Sequence, residues 1–438
     1  MHDHVTTRSP DTTRAAPDGA APRLRGTHAP TVRRRLRDAN QARGWAAHRI
    51  DVASRRLLDG AHIVLGSELG DLSGLTLTAV VDQRPVTIRM AYGRPVAALL
   101  HDAQAADAPV TSLLHHGHDR VGRRVQHDLA HAAAFARATG LDRPETIASQ
   151  GPVTITEHPD GTSLSAAVLE HPDRTGALLE HLWSALAGIR DPHLTQAVPV
   201  PASSSRLGVE GEFRALWHGI APAWLDDIGI GWTHIKNRRA LLDSMDDFSV
   251  RLDEHRPHDH DEQRVLVHGN LDCDHLVLAT GGTWTSSPRP HLAAPEADIA
   301  LLVSRLTQLL IGSAAPPDTV VAVTGAVHSW LTTDTGPLPD HNRPATLREV
   351  LRQWAMDTLT VLTTCLALPP RVPAPTDTQR HMTHRATRVL QIVATIIRGL
   401  ELRPEQPEYA LTTALARVHA ACGIPRHRQL DTRKTPRG

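Results

Sequence analysis

The chain lacks net charge, since its 438 residues hold 47 Lys and Arg against 47 Asp and Glu. Without a basic excess there is no electrostatic case for nucleic acid or for an anionic membrane surface. Cysteine is scarce: three residues, an odd count and widely spaced. That excludes a disulfide framework and fits a reducing, cytoplasmic setting. Long hydrophobic runs are missing as well. The first residues carry no apolar core of a secretory signal. The most apolar helical piece, Val389–Ile397, is too short to cross a bilayer. No membrane partner is expected. What the chain does have is 40% hydrophobic residues, enough to build a core. Its length suits one large two-lobed domain or two to three ordinary ones.

Residues 1–45 are rich in Thr, Arg, Pro, Ala and Gly, with almost no large apolar side chain before Trp45. They read as a disordered tail, with Arg33-Arg34-Arg35 as a solvated arm. From Ile63 the pattern changes to short strands punctuated by Gly66, Gly70 and Gly74. Leu75–Val81 and Val86–Met90 alternate as half-buried strands around a turn at Asp82-Gln83-Arg84-Pro85. Asp119–Thr139 follows as a long amphipathic helix ended by Gly140. Next come a strand ending at Glu157, a turn with Asp160-Gly161, and a helix start capped by Thr162 or Ser163. The remainder is mostly helical: Thr175–Leu186, Phe213–Leu225, Arg238–Leu252, Thr319–Leu331, Thr346–Leu366, Thr378–Leu400 and Pro407–Cys422. The His- and Asp-rich stretch His255–Glu262 reads as a solvated linker; it lacks the paired ligands on ordered elements that a metal site needs.

One stretch concentrates chemistry. Val265–Leu278 sets His268, Asn270, Asp272, Cys273, Asp274 and His275, with Gly269 among them, between two short apolar runs. It reads as strand, tight loop, strand. The plain alternative is a polar hairpin tip. Cys273 stands between two acids, which raise a thiol's pKa, so it is no candidate nucleophile.

His268-Gly269 followed by Leu276-Val277-Leu278 resembles the catalytic loop of aminoglycoside-type phosphotransferases, a small-molecule branch of the protein-kinase-like fold. In that family the loop runs His-Gly-Asp, four residues, Asn, then apolar residues. A second stretch, Ser287-Pro288 and Pro295-Glu296-Ala297-Asp298-Ile299-Ala300, is similar to the segment that follows the loop in hydroxyurea- and streptomycin-phosphorylating relatives. The resemblance spans about Ile63 to Leu331. It implies an α+β, bilobal fold: a tail (1–45), a small β-rich N-lobe (46–157), a larger helical C-lobe (158–335) and a helical C-terminal extension (336–438). It implies that Arg89 holds the phosphates of ATP and Asp128 pairs with Arg89. Backbone groups near Glu157 would face the adenine. Asp298 is expected to do no more than place an acid in the first turn of its helix.

The resemblance also exposes three departures. The family's proton-accepting Asp falls on Asn270, its metal-binding Asn on His275 and its metal-binding Asp on Ser287. An amide orients a hydroxyl but takes no proton, and Mg²⁺ prefers hard oxygen ligands. His268, Asn270 and Asp272 are therefore the catalytic-position candidates, and His275, Ser287 and Asp274 the weakened Mg²⁺ candidates. Two functions fit this set. One is a degenerate, pseudokinase-like protein that binds a nucleotide, peptide or protein partner. The other is an active ATP-dependent phosphotransferase in which Asp272 or Asp274 takes over. Its acceptor would be a natural-product hydroxyl or a Ser/Thr of a precursor peptide in a tailoring pathway. An unrelated helical interaction protein is the third reading.

Overall fold

A computed structural model describes residues 29–69, 73–190, 193–194, 198, 208–220, 232, 235–255, 264–334, 336–339, 342–368 and 377–423. The expected tail is shortened by a helix, α1 (Ala29–Leu57). Its core face is a stripe of small residues, Ala39, Ala42, Ala46 and Ala53 with Ile50, all buried against the sheet of the smaller lobe. Alanines at helical spacing let a helix approach a sheet closely without any large apolar side chain. A stripe of small residues carries no bulky apolar signal in the sequence.

The sheet contains β1 (Ile63–Leu69), β2 (Gly74–Val81), β3 (Arg84–Ala91), β4 (Thr146–Gln150) and β5 (Val153–Glu157) in the order β1-β2-β3-β5-β4. Neighbouring strands are all antiparallel. Leu75, Leu77 and Ala79 of β2, Val86, Ile88 and Met90 of β3, and Val153 and Ile155 of β5 are buried, the alternation that period-two strands require. The β2–β3 turn is made by Asp82 and Gln83, both at positive φ, as a two-residue mirror-image turn demands. Between β3 and β4 lie α2 (Val96–Ala105) and α3 (Val110–Thr139). The long helix starts nine residues before its expected beginning at Asp119 and stops where Gly140 adopts the left-handed conformation.

After β5 the chain leaves the sheet through residues 158–161 and enters β6 (Thr162–Ser163) and α4 (Leu164–Glu170). Ser163 caps α4 by accepting the Ala166 amide hydrogen at 3.2 Å. β6 pairs with β8 (Val277–Leu278), which pairs in turn with β9 (Trp284–Thr285). Gly161, at φ 147°, passes so close to the Leu278 carbonyl that a Cβ would collide with it. The crossing between lobes is thereby stitched to the strand just after the chemistry-rich loop.

The larger lobe contains α5 (Thr175–Ala185), α6 (Gly208–Arg214), α7 (Arg238–Glu254), α8 (Ala297–Gly312), α9 (Pro317–Thr332), α10 (Arg343–Ala367), α11 (Asp377–His384), α12 (Ala386–Leu402) and α13 (Pro407–Ala421). The architecture is α+β and bilobal, a small sheet-rich lobe on a larger helical one, as expected. Two expectations change. The helix expected over Thr378–Leu400 is broken into α11 and α12. More consequentially, α10, in the stretch expected as a C-terminal extension, belongs to the core of the larger lobe. α10 is buried along most of its length and packs on α6, α7, α8 and α12, with Trp354 and Arg352 among the largest fully buried side chains. The expected Trp-bearing helix Phe213–Leu225 is described only to Ile220, as α6 and a π-helical turn over Ala215–Ile220. Gly70 and most of the linker expected over His255–Glu262 lie outside the described residues.

Candidate functional site

The central loop is not a hairpin tip. Its leading strand, β7 (Val265–Val267), pairs with β10 (His291–Ala293), and its trailing strand β8 belongs to the other small sheet. The loop therefore bridges two sheets, and the segment Ser286–Arg289 lies alongside it. The Arg289 amide donates to the His268 carbonyl at 2.9 Å, and the Asn270 side-chain amide donates to the Ser287 carbonyl at 2.8 Å. The two stretches that carry the family resemblance thus meet in space.

Asp298, at the start of α8, holds the loop from below. Its carboxylate accepts the His268 amide hydrogen at 2.7 Å and that of Gly269 at 2.9 Å. Burial pushes its pKa up to about 6 against the lowering effect of those two amides. The expectation of a simple helix-start acid fell short, because only the folded chain brings α8 beneath residues 30 positions earlier.

His268 is wholly buried, and Phe135 of α3 meets its ring edge-on at 6.1 Å. Its Nδ1 accepts the Asn270 amide hydrogen at 3.3 Å, so the proton sits on Nε2, 2.7 Å from Ser286 Oγ. Burial, reinforced by His291, lowers its pKa to about 3. His268 is a neutral scaffold of the loop and offers nothing to a substrate. Gly269 is at φ 72°, and a Cβ there would lie 2.5 Å from both the Arg289 carbonyl and the His291 ring.

Asp272 does two things. Its Oδ1 accepts the Asp274 amide hydrogen at 3.1 Å, and its backbone carbonyl receives the His275 and Leu276 amides. This is the turn role that short acidic side chains favour. Burial raises its pKa, but His275, Arg305, the Asp274 amide and Arg289 together outweigh burial and hold the carboxyl below its usual range. It remains ionised and lines a recess of about 90 Å³ together with Asn270, Arg289, His291 and Arg305. Arg305 reaches that recess from α8 while donating to Asp357 Oδ1 at 3.0 Å; Asp357 Oδ2 takes Ser304 Oγ at 2.7 Å and Gln308 Nε2 at 3.0 Å. Cys273 is buried and its thiol pKa is pushed up by burial first and by Asp272 and Asp274 next, which leaves it inert.

His275, Asp274 and the Ser287 residue are all exposed. Among the described residues, no group of three or more His, Cys, Asp and Glu side chains forms a ready-made metal site. Arg89 lies on β3 and donates to Ser73 Oγ at 2.9 Å, which ties it to the β1–β2 connection. Asp128 is exposed on α3 and pairs with Arg124 of its own helix at 3.8 Å, in place of the expected partner Arg89. At the lobe crossing the Glu157 amide is bonded to the Glu145 carbonyl, the His158 amide to the Pro85 carbonyl, and Pro159 has none. The amide donors nearest the expected adenine position are therefore already committed within the protein. His291 and Asp298 were the site residues that sequence reasoning missed. His291 carried no motif signal; only its register opposite Val267 brings it to the loop.

No family model matches the chain, and no curated protein does. Solved structures similar to it include an ethanolamine kinase of Plasmodium vivax, 12% identical, over 78% of this chain and 85% of that one, with a TM-score of 0.43. Another is a spectinomycin phosphotransferase in complex with ADP and spectinomycin, 12% identical, over 80% and 98%, at 0.42. A third is a choline/ethanolamine kinase family protein from Mesorhizobium loti, 13% identical, over 84% and 99%, at 0.43. These overlaps concern the fold; the site has to be read from its own residues.

Proposed function

We propose that this chain is a kinase-fold binding protein that takes a nucleotide or another small ligand between its lobes and does not catalyse efficient metal-dependent phosphoryl transfer. The observation that carries this reading is Asn270. It occupies the proton-acceptor position implied by the resemblance, and its amide is fixed by donation to the Ser287 carbonyl. An amide oxygen is no base at neutral pH, and transfer to a hydroxyl needs an acceptor for its proton as well as cations on the phosphates. The residue types at His275 and Ser287, a nitrogen ligand and a neutral hydroxyl where Mg²⁺ prefers hard oxygen ligands, support the same reading.

Arg89 is the cation expected to meet a phosphate, since it reaches Ser73 just before β2 and a guanidinium grips phosphate with two parallel donors. Titrating a non-hydrolysable ATP analogue should give similar affinities with and without Mg²⁺, within about threefold. The Arg89→Ala variant should bind at least about tenfold more weakly, as expected for a lost charge-assisted hydrogen bond. A large Mg²⁺ enhancement in the parent would contradict this reading.

One observation favours a second reading. Asp272 is ionised, sits two residues from Asn270 and lines the same recess, with Oδ2 not engaged by the Asp274 amide. In that case the protein would be an active ATP-dependent phosphotransferase using Asp272 as base, its acceptor a small-molecule hydroxyl or a Ser/Thr of a peptide.

A further inference from the structure

One residue in the wall of the recess beside Asn270, His291, carries a buried polar atom without a hydrogen-bond partner among the described residues. β10 pairs with β7 so that His291 stands opposite Val267, and its side chain is only 1% exposed. Its Nδ1 donates to the Arg289 carbonyl at 2.9 Å. That bond fixes the tautomer: the proton is on Nδ1 and the lone pair on Nε2. Nε2 is buried and has no hydrogen-bond partner among the described residues. Folded proteins seldom leave such a buried acceptor unpaired without a reason.

The surroundings are built around this ring. Gly208 of α6 and Gly269 of the loop flank it, and a side chain at either would run into the imidazole. The recess it lines measures about 90 Å³; Asn270, Asp272, Arg305 and Glu212 bring polar groups to its wall, and Val209 and Leu301 are among the apolar ones. That is space for more than one water molecule or for a ligand fragment of a few non-hydrogen atoms. Burial lowers the pKa of His291, so the ring is neutral at physiological pH.

We propose that His291 is a ligand-recognition residue whose Nε2 accepts a hydrogen bond from a hydroxyl or amine of a small molecule seated in this recess beside Asn270. The inference rests on the reading of the chain as a ligand-binding protein and adds where the ligand's donor group is read and by which atom. A site built to accept a substrate's O–H or N–H discriminates strongly against analogues lacking it, because the buried partner is then left unpaired. His291 would make donor-bearing ligands the preferred class.

The test uses the full chain labelled with ¹⁵N in its histidines and at the Gly269 amide, observed by NMR. The probes are ethylene glycol, which fits the recess and carries donors, and 1,2-dimethoxyethane, which keeps the oxygens and loses the donors. Ethylene glycol should shift His291 Nε2 and the Gly269 amide saturably, at concentrations at least tenfold below any effect of the diether. His291→Phe should abolish the Gly269 response, and His291→Gln, which keeps an acceptor, should retain part of it. An equal response to both probes, no saturable response, or an unchanged response in His291→Phe would overturn the proposal and leave Nε2 satisfied by water alone. If His291→Phe fails to fold, the comparison of the two probes on the parent decides by itself. Nucleotide-analogue binding is read separately, so a cleft that binds no nucleotide is distinguishable from a recess that accepts no donor.

Discussion

Replacing Asp298 with alanine is expected to lower stability by about 3 kcal/mol, because two buried loop amides lose their acceptor and each unpaired donor costs roughly 1–3 kcal/mol. Both bonds are short and both amides belong to the loop that carries Asn270. The pH dependence gives a finer test. The Asp298 pKa is raised from 3.8 to about 6, so between those values the folded state binds the extra proton. This group therefore adds stability as pH falls from about 6 to about 4, by about 3 kcal/mol at most. His268 works in the opposite direction. Its pKa is lowered from 6.5 to about 3, so the unfolded state takes the proton first and stability is lost as pH falls below 6.5. The parent should thus lose stability on acidification, and Asp298→Asn, which cannot gain the compensating proton, should lose it more steeply. Urea denaturation of both proteins between pH 7 and pH 4 checks this. Parallel curves would mean that Asp298 does not titrate in that window.

The second large effect concerns activity. Rebuilding the three departed positions together, as Asn270→Asp, Ser287→Asp and His275→Asn, should raise ATP turnover at least about a hundredfold over the parent, the lower end of what a positioned general base contributes. Asn270→Asp alone should not achieve this, because no carboxylate then holds the metal. Nor is that single exchange silent, although the two side chains are nearly isosteric. The Asn270 amide donates to the Ser287 carbonyl, and a carboxylate would face that oxygen without a hydrogen to share. A loss of about 1 kcal/mol of stability is expected for the single variant. Phosphate release by purified single and triple variants, with thermal melts alongside, separates the two effects. High turnover in the single variant would show that the exchanges at His275 and Ser287 do not limit metal-dependent transfer.

Much of the fold was legible because period-two and period-3.6 patterns, glycines and caps are local signals. The strands of the smaller lobe, the turn at Asp82-Gln83 and the cap at Ser163 all stand where local sequence places them. α1 was not legible because its stripe is alanine, and alanine packing is a property of the pair of surfaces, not of one helix. The central place of α10 was hidden for a similar reason: buried Arg352 and Glu349 satisfy each other, with 2.6 Å between charged atoms, so the helix reads as more polar than its surroundings. Within the site, the positions from His268 to Ser287 were found through the resemblance. Asp298 was read there only as a helix-start acid and His291 not at all, since the bonds that define them join residues far apart or brought together only by strand register.

The central claim is that Asn270 leaves this site without a proton acceptor. The most direct measurement is transfer of the γ-phosphoryl group from labelled ATP, with Mg²⁺, by the full-length parent and by Asp272→Asn, with water and a panel of hydroxyl-bearing small molecules and Ser/Thr peptides as acceptors. The account predicts no transfer above the enzyme-free background in the parent, and no change on substituting Asp272. Robust Mg²⁺-dependent transfer by the parent that disappears in Asp272→Asn would contradict it and establish Asp272 as the base.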